Sequence, residues 1–117
     1  MSKTLTGILK KTQQRNRKYF DNYLKYGEEI KEKAQELLGS VRVLMFGSVV
    51  KGEARPTSDI DVLIISEALP QEASQKAKIR TKIKSEIDPF SPFQLHLVTP
   101  EEFNGWYKNF IDEFKEI

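Results

Sequence analysis

Two short stretches, Val41-Arg-Val-Leu-Met-Phe46 and Asp61-Val-Leu-Ile-Ile65, are almost wholly apolar and rich in β-branched residues. Such runs suit strands covered on both faces, because a strand with one wet face alternates oily and polar residues. A third run, Phe93-Gln-Leu-His-Leu-Val98, does alternate and predicts a strand with one more polar face. A chain built on these runs needs apolar cover above and below a small sheet.

The cover comes from segments with helical periodicity. From residue 17 to about 38, Phe20, Tyr23, Leu24, Ile30, Ala34, Leu37 and Leu38 recur on one face, with Lys and Glu on the other. Gly27 weakens the middle of this helix, and Gly39-Ser40 ends it. Residues 71–87 form a second helical segment on Ala73, Ala77, Ile79, Ile83 and Ile87, stopped by Asp88-Pro89 and Ser91-Pro92. Thr99, Pro100 and Glu102 form an N-cap, first-turn proline and capping-box acid. They predict a final helix carrying Phe103, Trp106, Tyr107, Phe110, Phe114 and Ile117 as an aromatic stripe, read as core with part left to cover a partner. The expected order is helix, strand, turn, strand, helix, strand, helix: an α/β (α+β) protein with a small mixed sheet packed against helices.

With 117 residues, 38% hydrophobic and 31% charged, the chain is expected to form one domain with a modest core, which a partner or a second copy would enlarge. No apolar run approaches the length of a membrane span, and Met1–Lys11 lacks a secretory core. The absence of cysteine removes disulfides and thiolate metal sites, and a cytoplasmic location is expected. The net charge of +2 is unevenly placed. Residues 1–18 hold Lys3, Lys10, Lys11, Arg15, Arg17 and Lys18 and no acid, so the other 99 residues carry −4. Residues 1–16 are expected to be a flexible basic arm, either a solvated end or a contact for nucleic acid or an acidic protein.

The chemistry is concentrated in Met45-FGSVVKGEARPTSDIDVL-Ile64. Side chains at i and i+2 of an extended chain leave the same face, so Asp59 and Asp61 aim two carboxylates one way while Ile60 and Val62 point the other. Two anions that close repel, and a hard divalent cation removes the conflict; Mg²⁺ favours carboxylate oxygens combined with a substrate's phosphates. No His or Cys cluster suggests zinc instead. Gly47 ends one buried strand and Ser48 can open a short helical turn, whose first amides would accept a phosphate. Gly47 permits close backbone approach, the Ser48 hydroxyl adds a hydrogen bond, and Lys51 and Arg55 flank the turn with positive charge. Taken singly, each of these pairs is readily explained as a turn or cap. Joined at this spacing, they point to a site for a nucleoside triphosphate.

Gly47-Ser48, ten residues, then Asp59-Ile60-Asp61 resembles the signature of the DNA polymerase beta nucleotidyltransferase superfamily. The string GSVVKGEARPTSDIDVLI is similar to that of its minimal nucleotidyltransferases, small prokaryotic proteins often paired with a helical toxin of the HEPN type. The resemblance implies a palm-like core, divalent metal (Mg²⁺, or Mn²⁺) on Asp59 and Asp61, and NTP, with ATP foremost, as donor. It implies that Gly47 and Ser48 hold the β- and γ-phosphates. Some members transfer AMP to a tyrosine of the paired toxin, so a small helical protein partner is implied as well. The superfamily usually adds a third carboxylate on a later strand, where this chain has Gln94 and His96 on one face and no acid. His96 can accept a proton or ligate a metal weakly; Gln94 can do neither well. That departure keeps open a second class of function, a nucleotidyltransferase-fold regulator that acts by binding a protein partner.

Overall fold

The computed structural model describes residue 14 and residues 16–55, 58–109, 111 and 113–117. Lys3, Lys10, Lys11 and Arg15 of the basic stretch, and Phe110 of the aromatic stripe, lie outside them. In chain order the elements are α1 (Tyr23–Leu38), β1 (Arg42–Phe46), α2 (Ser48–Lys51), β2 (Ile60–Ile65), α3 (Ala73–Ile87), β3 (Phe93–Val98), α4 (Pro100–Gly105), a 3₁₀ turn (Tyr107–Asn109) and β4 (Phe114–Glu116). Residues 16–21 are also helical, and a turn at Asn22 separates them from α1. Among the described residues no helix is long and apolar enough to cross a membrane.

The four strands form one mixed sheet in the order β3-β2-β1-β4. β1 runs antiparallel to β2 and β4, whereas β2 and β3 are parallel, their crossover supplied by α3. Alternation sorts each strand between two layers. Val43, Met45, Val62, Ile64, Phe93, Leu95 and Leu97 face a core shared with Ile30 and Ala34 of α1 and Ile83 of α3. Leu44, Leu63, Ile65 and Val98 face the other way, against Phe103 of α4. The oily runs of β1 and β2 are thus explained by cover on both faces.

Gly27, which weakens α1 as a helix, has a packing role. A Cβ there would lie 2.8 Å from Sδ of Met45 and 2.9 Å from Cδ1 of Ile117. The missing side chain lets α1 settle directly on the sheet.

The expected C-terminal helix is the main correction. Its start is as read: Thr99 accepts from the Glu102 amide at 3.1 Å, and Glu102 accepts from the Thr99 amide at 3.0 Å, with Pro100 in the first turn. The helix then ends at Gly105, and the chain returns as β4 beside β1. Asn104 and Gly105 are poor helix formers, and pairing with β1 outweighs the aromatic periodicity downstream. Arg42 clamps β4 with a bidentate pair to Glu116, at 2.9 and 3.1 Å, and the Ile117 amide donates to the Val43 carbonyl. The aromatic stripe is not one buried face. Phe103 is buried, Tyr107 is half-buried, and Trp106 and Phe114 are 58% and 46% exposed. On that same sheet face Phe46, Asp61 and His96 are partly exposed, and the candidate site lies there.

Candidate active site

The site begins at the corner where β1 ends and β2 begins. Phe46 pairs with Asp61 across the antiparallel ladder, so the residue after Phe46 comes under the Asp61 side chain. That residue is Gly47, with φ +87° and ψ −159°, a conformation that L side chains rarely adopt. A Cβ on residue 47 would stand 2.7 Å from Oδ2 of Asp61. Glycine is therefore required twice, for the turn and for the approach of the carboxylate.

Ser48 opens α2 as expected. The amides of Val50 and Lys51 both donate to the Gly47 carbonyl, at 3.2 and 3.3 Å, which leaves the Ser48 and Val49 amides as the first-turn donors. Gly52, at φ +74°, ends the turn. Lys51 and Arg55 are both exposed, and Arg55 belongs to a small turn in which its amide donates to Ser58 Oγ at 3.0 Å.

Asp61 also reaches across to β3. Its Oδ1 lies 3.3 Å from Nε2 of His96, and both side chains are about 30% exposed. The imidazole is tilted against the Phe46 ring at 5.9 Å. Of the two β3 candidates, His96 is the one that touches an aspartate. Gln94 sits opposite Asp61 in the parallel register with an exposed side chain. Asp59, exposed at the mouth of β2, lines a cleft of about 610 Å³ together with Gln94, His96 and Tyr107. The arrangement gathers Gly47, Ser48, Asp61 and His96 at one corner, with Asp59 at its rim; Lys51 and Arg55 lie around the turn and do not line the cleft. Tyr107, in sequence a member of the aromatic stripe, is a cleft residue. The break of the helix at Asn104-Gly105 is the signal that could have freed it.

Among the described residues no three His, Cys, Asp or Glu side chains come together as a cage for a metal ion. Asp59 is exposed and the Asp61 side chain is 29% exposed; carboxylates of this kind suit Mg²⁺, which takes one or two of them and completes its shell with water and substrate phosphate.

The family model described as a nucleotidyltransferase domain matches residues 28–117, more than half of the chain. A crystal structure of a candidate nucleotidyltransferase is 32% identical, with a TM-score of 0.61, over 77% of this chain and 95% of the other. A second, from Sulfolobus solfataricus, shares the fold at 21% identity and a TM-score of 0.53, over 92% of this chain and 84% of the other. No curated protein matches the chain. With the strand corner, the glycine under the carboxylate and the matched length all in place, this chain belongs to the nucleotidyltransferase-domain family.

Proposed function

We propose that the chain is a Mg²⁺-dependent transferase that moves a nucleoside monophosphate, AMP foremost, from an NTP to an acceptor hydroxyl. The observation that carries this reading is the Asp61 carboxylate seated over Gly47 at the opening of α2, with His96 on its other oxygen. Asp59 and Asp61 would hold the metal. When bound, Mg²⁺ would neutralise polyphosphate charge and make the α-phosphorus more electrophilic.

The remaining tasks fall to the chain. The amides of Ser48 and Val49 and the Ser48 hydroxyl bind the β- and γ-phosphate oxygens, held close by the absence of a side chain at Gly47. Lys51 and Arg55 add positive charge around the turn. The acceptor oxygen forms a bond to the α-phosphorus as the bond to the bridging oxygen breaks and pyrophosphate leaves. With Nε2–H donating to Asp61 Oδ1, the His96 lone pair is on Nδ1, which takes the hydroxyl proton.

The test is mass analysis of acceptor proteins incubated with the chain, NTP and Mg²⁺, beside pyrophosphate release. A gain of one nucleotide and its disappearance in Asp59→Asn are the expected results. Pyrophosphate release that persists in both Asp59→Asn and Asp61→Asn sinks the assignment of these carboxylates.

A second reading, a regulator that works by binding a small helical toxin, is favoured by the exposed Trp106 and Phe114. Under it, the Asp59→Asn, Asp61→Asn double variant neutralises the partner fully, with no nucleotide transferred.

A further inference from the structure

The cleft beside the site looks at β3 edge-on. Among the described residues β3 ends the sheet on its side. The amides of Ile60 and Ser66 on the β2 side donate to the carbonyls of Pro92 and Val98. By the period of two, Gln94 and His96 also turn their main-chain groups to β2. Phe93, Leu95 and Leu97 then direct N–H and C=O outward, away from the ladder. Their side chains lie in the core beneath the sheet, yet all three line the cleft. What they present to it is backbone that no described strand pairs on that side.

The opposite wall is basic. α3 packs under the sheet through Ile79 and Ile83 and sets the half-buried Arg80 and Lys84 along the cleft. Among the described residues neither is ion-paired. Ser91, which also lines the cleft, is only 5% exposed, and its Oγ finds no partner among the described residues. The upper lip is the site itself, Asp59 and His96.

We infer that this edge takes an extended acidic polypeptide segment, added to the sheet as a further strand. An outward row of alternating donors and acceptors is matched by another peptide backbone. A nucleic-acid strand meets a basic wall through phosphate oxygens, which only accept, and does not reproduce the alternating donor and acceptor row of a peptide backbone. A second copy joined edge to edge would set its own Arg80 and Lys84 against these.

Successive side chains of the added strand point to opposite faces. One set meets Arg80 and Lys84 and is acidic. The other rises beside His96 and Asp59, where a Tyr, Ser or Thr hydroxyl would stand ready as acceptor. The favoured segment has a hydroxyl residue flanked on each side by Asp or Glu. Delivery of that hydroxyl rests on the transfer reading above; docking on the edge does not.

The test uses the full ¹⁵N-labelled chain and a blocked heptapeptide in which Glu alternates with Val and a central Tyr. On binding, amide exchange at Leu95 and Leu97 slows by about tenfold or more. Affinity falls about tenfold or more in Arg80→Glu, Lys84→Glu, and the double variant prefers the same peptide with Lys for Glu. Methylation of the peptide amides that face the edge abolishes binding. Four outcomes overturn the proposal: equal affinity for the Lys peptide, binding without protection of Leu95 and Leu97, protection already present with no peptide, or preference for an oligonucleotide of equal charge. A parallel titration with Mg²⁺ and NTP separates the two claims. Edge protection without nucleotide uptake upholds docking and defeats the transfer reading; nucleotide uptake without edge protection does the reverse.

Discussion

Oδ2 of Asp61 lies 2.7 Å from the point where a Cβ on residue 47 would stand, so the carboxylate occupies the space that Gly47 leaves. This contact joins the two halves of the sequence motif. The glycine matters less as a flexible joint than as the floor beneath an acid.

Gly47→Ala should therefore cost more than backbone strain. At φ +87° and ψ −159° the backbone lies in a region open essentially to glycine alone, which penalises alanine by about 1–3 kcal/mol, and Asp61 must also move. Gly52→Ala supplies the control, because Gly52 has φ +74° with nothing within 4 Å of an added Cβ. Gly47→Ala should lose more stability than Gly52→Ala in thermal unfolding, because Gly52 is an ordinary left-handed cap with open space around it. Only Gly47→Ala should weaken Mg²⁺-dependent NTP binding, by about tenfold or more. Equal losses of binding in the two would assign the effect to strain.

The two β3 candidates should separate kinetically. His96 reaches Asp61 at 3.3 Å, whereas Gln94 projects from an exposed position opposite it. If His96 takes the acceptor's proton, His96→Ala lowers kcat by about a hundredfold or more with little change in the KM for NTP. Gln94→Ala should leave kcat within about threefold. The reverse ranking would give the third position to Gln94.

The parts of this molecule that were legible in sequence are those set by local chemistry. Apolar β1 and β2, alternating β3, the Gly47 corner and the Thr99–Glu102 cap all follow from side-chain period or turn preference. Asp61 and His96 were individually conspicuous, but their contact depends on the parallel register of β2 with β3, which no short window contains. The C-terminal misreading has the same origin. Phe103 to Ile117 fits a helical period, but β4 forms because Arg42, 74 residues from Glu116 in sequence, and the edge of β1 are there to receive it. Gly27 was misjudged in kind: the sequence marks it as a weak helix residue, and only the facing Met45 and Ile117 explain it. The outer edge of β3 was invisible until strand order was known.

Gly27 offers a test of that packing. In an exposed helix Gly→Ala gains about 1 kcal/mol. Here the added methyl enters a core in which Met45 is fully buried, and overpacking costs about 1–3 kcal/mol. Gly27→Ala should thus lower the midpoint of urea unfolding or leave it unchanged. Gly105→Ala, at the end of α4 with open space around it, should raise the midpoint. A stabilising Gly27→Ala would mean that α1 does not sit as closely on β1 as described.

The clamp on β4 gives a pH prediction. The Arg42 guanidinium hydrogen-bonded to Glu116 holds the carboxyl below its ordinary value of 4.5, against a smaller opposing effect of burial. A carboxylate whose folded value is lowered adds stability above its unfolded value, and that stability is lost as pH falls through the folded value. Both side chains are about half exposed, so the pair contributes at most about 1 kcal/mol at neutral pH, less in high salt. Glu116→Gln should therefore be slightly less stable than the parent at pH 7 in low salt. In urea titrations the gap should close as the pH is taken below the ordinary glutamate range. It should also close at pH 7 in 1 M NaCl, where the Debye length is about 3 Å. A gap that survives both acid and salt would show that packing along β1, rather than the Arg42–Glu116 pair, holds β4 in place.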